Sequence, residues 1–173
     1  MAKALVVLDM LNDFIREEGS LCVGADGEKI VPNIAARLDD ARSAGELIIY
    51  LCDRHRTDDA EFALWPPHGL LGTWGADIIE DLAPRPREFV LPKRRYSGFT
   101  GTELIVVLHE RGIDEMELTG VCTNICVLYT ACSARDLAYP VTVHADRVAT
   151  FDQKAHEFAL EQMGQILGVS VVQ

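Results

Sequence analysis

Short apolar runs alternate with longer amphipathic stretches along the 173 residues of the chain. Runs rich in Val, Ile and Leu recur at Ala4–Leu8, Leu47–Leu51, Glu88–Leu91, Met116–Thr119, Val141–His144 and Val169–Val172. Each has the length and side-chain type of a β-strand. Between them, Ile34–Ala44, Thr102–Arg111, Asn124–Leu137 and Lys154–Leu167 carry apolar residues at helical spacing, and Gly45, Gly112 and Gly168 act as stop signals. Strands such as Leu5-Val6-Val7-Leu8 are apolar at consecutive positions, as a parallel sheet covered on both faces requires. The pattern predicts one α/β domain over residues 1–173, a doubly wound parallel sheet of about six strands with helices on both faces.

One stretch breaks the alternation. Residues 53–86 hold four prolines, both tryptophans and several glycines, with only a weak helical patch near Ala76–Leu82. A connection of this length in a compact domain is usually functional or disordered, and its aromatic and proline content predicts an ordered lid over a site.

The net charge of −11 narrows the partners: it repels a phosphate backbone, so nucleic acid is not expected. No apolar run reaches membrane-spanning length, and Met1 leads into an apolar segment too short for a signal sequence, so no membrane partner is expected. Cysteines at 22, 52, 122, 126 and 132 are odd in number and follow neither a disulfide framework nor a paired zinc pattern, which predicts free thiols in a reducing cytoplasm.

Ligands of open α/β sheets bind outside the carboxyl ends of the strands. Residues there include Asp9 after the first run, Cys52-Asp53-Arg54-His55 after the second, Lys93 after the third and Gly120-Val121-Cys122-Thr123-Asn124-Ile125-Cys126 after the fourth. Taken singly, Asp9 reads as a turn cap, Lys93-Arg94-Arg95 as a solvated turn and Cys126 as core. Together they bring a carboxylate, a cation and a thiol to one rim. With Thr123 as N-cap, Cys126 falls in the first helical turn, where the dipole and Lys93 are expected to lower its pKa, with Asp9 taking the proton. Asp146, also at a strand end, is the reserve carboxylate; His109 and His156 are expected to face solvent, and Cys132 to pack. A second cluster, Asp53, His55, Glu61 and His68, has the donor types for a divalent ion such as zinc, manganese or iron.

Three blocks, Asp9-x-x-Asn12-Asp13-Phe14, Lys93-x-x-Tyr96-Ser97-Gly98-Phe99 and Gly120 to Val127, resemble those of the isochorismatase-like cysteine hydrolases. The resemblance covers nearly the whole chain. It implies a triad of Asp9, Lys93 and Cys126, a cis peptide before Cys122, and an oxyanion hole from the backbone N–H groups of Cys122 and Cys126. The nicotinamidase branch of that family hydrolyses nicotinamide to nicotinate and ammonia. Similarity to it implies a metal site of Asp53, His55 and His68, with Glu61 in some members, holding the pyridine nitrogen. It also implies aromatic flanking of the ring by Phe14, Trp65 and Tyr96. A small-molecule amide substrate and a homodimer or larger assembly follow from the same likeness. Two alternatives stand beside it: a metal-independent hydrolase of carbamoyl or ureido amides, and a non-catalytic flavodoxin-like module. The acids Asp9 and Asp13, where a phosphate loop would lie, weigh against the last.

Overall fold

The computed structural model describes residues 2–173. Its strands are β1 (Lys3–Leu8), β2 (Leu47–Asp53), β3 (Phe89–Lys93), β4 (Glu115–Val121), β5 (Val141–Ala149) and β6 (Ser170–Val172). They form one six-stranded sheet in the order β3-β2-β1-β4-β5-β6, parallel throughout. The expected doubly wound α/β architecture is thus present.

Six α-helices flank it: α1 (Asn12–Ile15), α2 (Ala25–Lys29), α3 (Val31–Ala44), α4 (Leu104–Glu110), α5 (Leu128–Asp136) and α6 (Gln153–Gln165). Side chains of a strand point alternately to opposite faces, and β1 divides accordingly. Ala4, Val6 and Leu8 join Leu104, Leu108, Ala131 and Met163 in one core. Leu5 and Val7 join Phe14, Ile34, Leu38 and Tyr50 in the other. Helices α1–α3 therefore cover one face and α4–α6 the opposite one. Among the described residues, no helix is long and apolar enough to cross a membrane.

Several elements differ from the pattern-based expectation. The predicted helix over Asn124–Leu137 is a π-helical turn, Thr123–Val127, running into α5. Strand β5 reaches Ala149 because Leu118 pairs Val143 while Gly120 pairs Val148, so the intervening β5 residues bulge out of register. The bulge leaves the side chain of Asp146 56% exposed, and it is absent from the lining of the cavity that holds Asp9; it is not a reserve carboxylate. At the other edge of this break, Gly120 has φ +108° and its missing Cβ would lie 2.0 Å from the Leu8 carbonyl oxygen. Only glycine permits that approach of β4 to β1.

The long connection after β2 is ordered by the chain that follows β1. The Asn12 side chain donates to the Trp74 carbonyl at 2.9 Å, and Asp13 accepts from the Gly69 N–H at 2.9 Å. Short 3₁₀ turns at Ala60–Ala63, Trp74–Ala76 and Glu80–Leu82 replace the expected helical patch.

Candidate active site

The order of the sheet reverses between β1 and β4, and a crevice opens where neighbouring connections leave toward opposite faces. Asp9 stands at this switch point. Its φ of +52° lies in the left-handed region, which Asp tolerates better than most residues. Its Oδ1 accepts the Asp53 N–H at 2.8 Å. The opposite wall is the segment after β4, where the Val121–Cys122 peptide is cis.

Lys93, the last residue of β3, extends beneath both walls. Its Nζ lies 2.6 Å from Asp53 Oδ1, 2.7 Å from Asp9 Oδ2 and 3.3 Å from Cys126 Sγ. All four residues are buried. Burial opposes the charge of Lys93, but Asp53 and Asp9 outweigh it and hold its pKa well above the usual lysine range. Burial also raises Asp53, yet Lys93 and the two imidazoles outweigh it and hold that carboxyl well below its usual range. Asp9 receives less of the shared ammonium: burial, then the charge of Asp53, push it up to about 6.

The expectation of a lowered Cys126 pKa is overturned. Burial pushes the thiol well above its ordinary value, Lys93 compensating only in part, and the charges of Asp9 and Asp53 add to the rise. Nor does Thr123 cap the turn; its hydroxyl pairs with His156 Nδ1 at 2.9 Å, which also turns that imidazole from solvent. The resting site thus contains a neutral thiol beside an ammonium and two carboxylates.

The second cluster adjoins the first through Asp53. His55 Nε2 lies 3.5 Å and His68 Nε2 3.6 Å from Asp53 Oδ2, and Glu61 Oε1 lies 3.9 Å from His68 Nε2. Ligand atoms at about 2.1 Å around a tetrahedral zinc stand about 3.4 Å apart, so Asp53, His55 and His68 are spaced as such a set. His68 Nδ1 donates to the Pro66 carbonyl at 2.7 Å, leaving Nε2 its lone pair. His55 Nε2 is buried without a hydrogen-bond partner among the described residues. A buried orphan atom facing a carboxylate and a second imidazole fits a cation. Burial disfavours charge on either imidazole, yet Asp53 raises both pKa values; the cluster attracts positive charge.

Both clusters open into one cavity of about 30 Å³, lined by Phe14, Trp65, Tyr96, Cys122, Ile125 and Phe151 together with Asp9, Asp53, Glu61, His68 and Cys126. Trp65 Nε1 donates to the Tyr96 hydroxyl at 3.0 Å, and its ring stacks on Phe151 with centroids 6.3 Å apart. The structure therefore gathers Asp9, Lys93, Cys126, Asp53, Glu61, His68, Phe14, Trp65 and Tyr96 in one place, with His55 against Asp53 beside them.

Sequence reading missed three groups. Phe151 follows β5 and had no motif to mark it. Phe62 packs against both His55 and His68, its centroid 5.4 Å and 5.7 Å from theirs. Asp59 accepts from His55 Nδ1 at 3.1 Å and Arg95 at 3.1 Å; an acidic pair in a loop, Asp58-Asp59, gave no sign of burial. Burial alone would raise the Asp59 carboxyl, but the Glu61 N–H, His55 and Arg95 hold it at about 2.

The model of the Isochorismatase domain matches residues 3–171. The chain is 36% identical to the uncharacterized isochorismatase family protein PncA of Bacillus subtilis, over all of both chains. Among solved structures it resembles nicotinamidase/pyrazinamidase PncA from Bacillus subtilis, with TM-score 0.95 and 34% identity over all of both chains. It also resembles the pyrazinamidase of Pyrococcus horikoshii in complex with zinc, with TM-score 0.93 and 30% identity over 100% of this chain and 99% of that one.

Proposed function

Because the chain belongs to the isochorismatase family, we propose that it is a cysteine amidohydrolase, specifically a nicotinamidase that converts nicotinamide and water to nicotinate and ammonia. One observation carries this reading: the Asp9–Lys93–Cys126 constellation and the Asp53–His55–His68 set share Asp53 and adjoin the same aromatic-walled cavity. The alternative reading, a metal-independent hydrolase of carbamoyl or ureido amides, would use the first cluster alone.

The amide carbon would lie against Cys126 Sγ, with the carbonyl oxygen toward the backbone N–H groups of Cys122 and Cys126 as oxyanion hole. The thiol is neutral at rest, so its proton passes to ionised Asp9 as the C–S bond forms. Asp9 then delivers that proton to the departing nitrogen, the C–N bond breaks, and ammonia leaves a thioester on Cys126. Water adds to the thioester carbonyl with Asp9 as base, and cleavage of the C–S bond returns the proton to sulfur and releases the acid. Lys93 keeps Asp53 ionised throughout and offsets the negative charge that builds near Sγ.

Asp53, His55 and His68, with Glu61 alongside, would hold the divalent ion. Zinc is the best fit by spacing, with manganese or iron as alternatives. Bound there, it supplies a Lewis acid for a heteroaromatic nitrogen. Phe14, Trp65, Tyr96 and Phe151 give the flat apolar walls that suit a pyridine ring. The loop over 53–86 supplies Asp53, Glu61, Trp65 and His68 to the cavity wall, which fits its reading as a lid over the site. A homodimer or larger assembly belongs to the same reading, supported by the exposed Phe158 of α6 and Ile166 beyond it.

The test is ammonia release from nicotinamide by purified protein, beside Cys126→Ala, with the metal content of the same sample measured. Turnover lost in the variant, with about one divalent ion per chain, supports the reading. Absence of ammonia from nicotinamide, with release from carbamoyl amides by metal-free protein, overturns it.

A further inference from the structure

Asp59 lies outside the cavity lining, yet its side chain is only 1% exposed and every approach to its carboxylate is taken. Oδ2 faces His55 Nδ1 at 3.1 Å. Oδ1 accepts the Glu61 N–H at 3.1 Å, capping the 3₁₀ turn Ala60–Ala63, and also accepts from Arg95 at 3.1 Å. Arg94 stands 3.7 Å from Oδ2. An ionised carboxylate only accepts, so His55 Nδ1 must carry a proton, and in the neutral imidazole that binds a cation the lone pair is left on Nε2. That lone pair is the one facing Asp53.

We propose that Asp59 is a positioning residue for the cation site: it fixes the His55 tautomer and, through the Glu61 N–H, the turn that presents Glu61. The inference rests on the metal-binding reading of Asp53, His55 and His68. His55, Asp59 and Glu61 also lie close enough together to suggest a ligand set of their own. But Asp59's oxygens are already occupied by N–H donors and guanidinium, which places it behind the ligands rather than among them. Arg95 makes the arrangement economical. It follows Lys93 by two residues, so the end of β3 delivers the ammonium of one cluster and the turn just after it the guanidinium that anchors the other.

Asp59→Asn separates positioning from plain structural support. The amide keeps the shape and can accept from Glu61 and Arg95 through its oxygen, but it then turns an N–H₂ toward His55 Nδ1. The imidazole must accept there, which moves its proton to Nε2, where the cation should sit. Asp59→Ala removes the constraint without reversing it. The experiment measures Zn²⁺ affinity by chelator competition and the visible absorption of Co²⁺-loaded protein for wild type and both variants. The expected order is wild type tightest, Asp59→Ala weaker and Asp59→Asn weakest, with a total loss of roughly 10–100-fold and an altered Co²⁺ spectrum. Equal affinity in Asp59→Asn and wild type overturns the proposal. If Asp59→Asn does not fold, Asp59→Ala decides: wild-type affinity overturns the proposal, and a loss supports it. Wild-type protein that takes up neither ion overturns the cation-site reading and this inference with it.

Discussion

Two buried charged clusters sit on the same sheet and are built on opposite principles. On β4, Glu117 is 1% exposed and is surrounded by cations: Lys3 at 2.8 Å, Arg147 at 2.8 Å and Arg37 at 3.0 Å; His144 stands at 3.9 Å, its charged form disfavoured by burial and by Arg147. Burial would raise its pKa, but Lys3 and Arg37 outweigh it and lower it. At the carboxyl end of the sheet, Lys93 is shared by Asp9, Asp53 and a thiol. Asp9 Oδ2 is within ion-pair distance of Lys93 but out of hydrogen-bond alignment, and His55 Nε2 has no hydrogen-bond partner among the described residues. A carboxylate with cations to spare is finished and holds elements together, and the one orphan atom there, Arg147 Nε, is a surplus donor on a cation already paired through Nη1. A cation stretched between carboxylates, with orphan atoms beside it, is waiting for chemistry. Buried charge alone therefore marks neither stability nor function; the degree of satisfaction distinguishes them.

The largest expected effect breaks the pair apart by activity. Cys126→Ala should lower kcat by about 10⁴-fold or more while leaving the urea midpoint near wild type, and Cys132→Ala should change neither. A Cys126→Ala enzyme that retains turnover would remove the thiol from the mechanism.

Next in size is Glu117→Gln, which leaves Arg37, Lys3 and Arg147 facing an uncharged amide. A loss of about 3–5 kcal/mol in unfolding free energy is expected, with kcat per folded molecule unchanged. A kcat that fell in step with stability would erase the distinction between the clusters.

Opposite pH signatures sharpen the contrast. The pKa of Glu117 is lowered in the fold from its ordinary 4.5, so its contribution is present above that value and lost as pH falls through the folded pKa. Asp9 is raised from 3.8 to about 6, so the fold is favoured while Asp9 is protonated, and that contribution disappears as pH rises through about 6. Asp9→Asn should therefore be inactive yet more stable by about 1–3 kcal/mol at pH 8, with a smaller gain at pH 5. Chemical denaturation at the two pH values measures this, and equal gains would contradict the raised pKa. In the wild-type enzyme, kcat/KM should rise with pH through about 6 as Asp9 ionises.

The smallest effect concerns the cavity wall. Tyr96→Phe removes the acceptor of Trp65 Nε1, worth about 1 kcal/mol. KM should rise about fivefold with kcat nearly unchanged, and the melting temperature should fall by about 2–4 °C. A fall in kcat without a change in KM would place Tyr96 in the chemistry instead of the wall.

Much of this was legible in the chain because its signals are local. Consecutive Leu and Val at Ala4–Leu8 require burial on both faces, and the parallel sheet provides it. Strand-end positions marked Asp9, Lys93 and the Cys122–Cys126 segment, since a parallel sheet places all its carboxyl ends on one rim. Asp53, His55 and His68 were visible as donor types, and the structure puts them within ligand spacing. Asp59 and Phe151 were not legible. Asp59 looks like any surface acid until Arg95, 36 residues on, closes over it, and Phe151 gains meaning only where Trp65 meets it. The Glu117 cluster was equally hidden, because Lys3, Arg37 and Arg147 are remote in sequence and Arg147 arrives only through the β5 bulge.

By itself, then, the sequence determined the order of strands and helices, the two-faced burial of the sheet and the identity of the reactive groups, because periodicity and residue chemistry are properties of short segments. Only the tertiary structure decided their protonation. Local reasoning lowered the Cys126 pKa and burial raised it; Asp9 and Asp53, alike in sequence, were driven in opposite directions. Charge in a protein interior depends on depth and on every neighbour at once, and those neighbours come from β1, β2, β3 and the turn after β4, which only the folded sheet brings together.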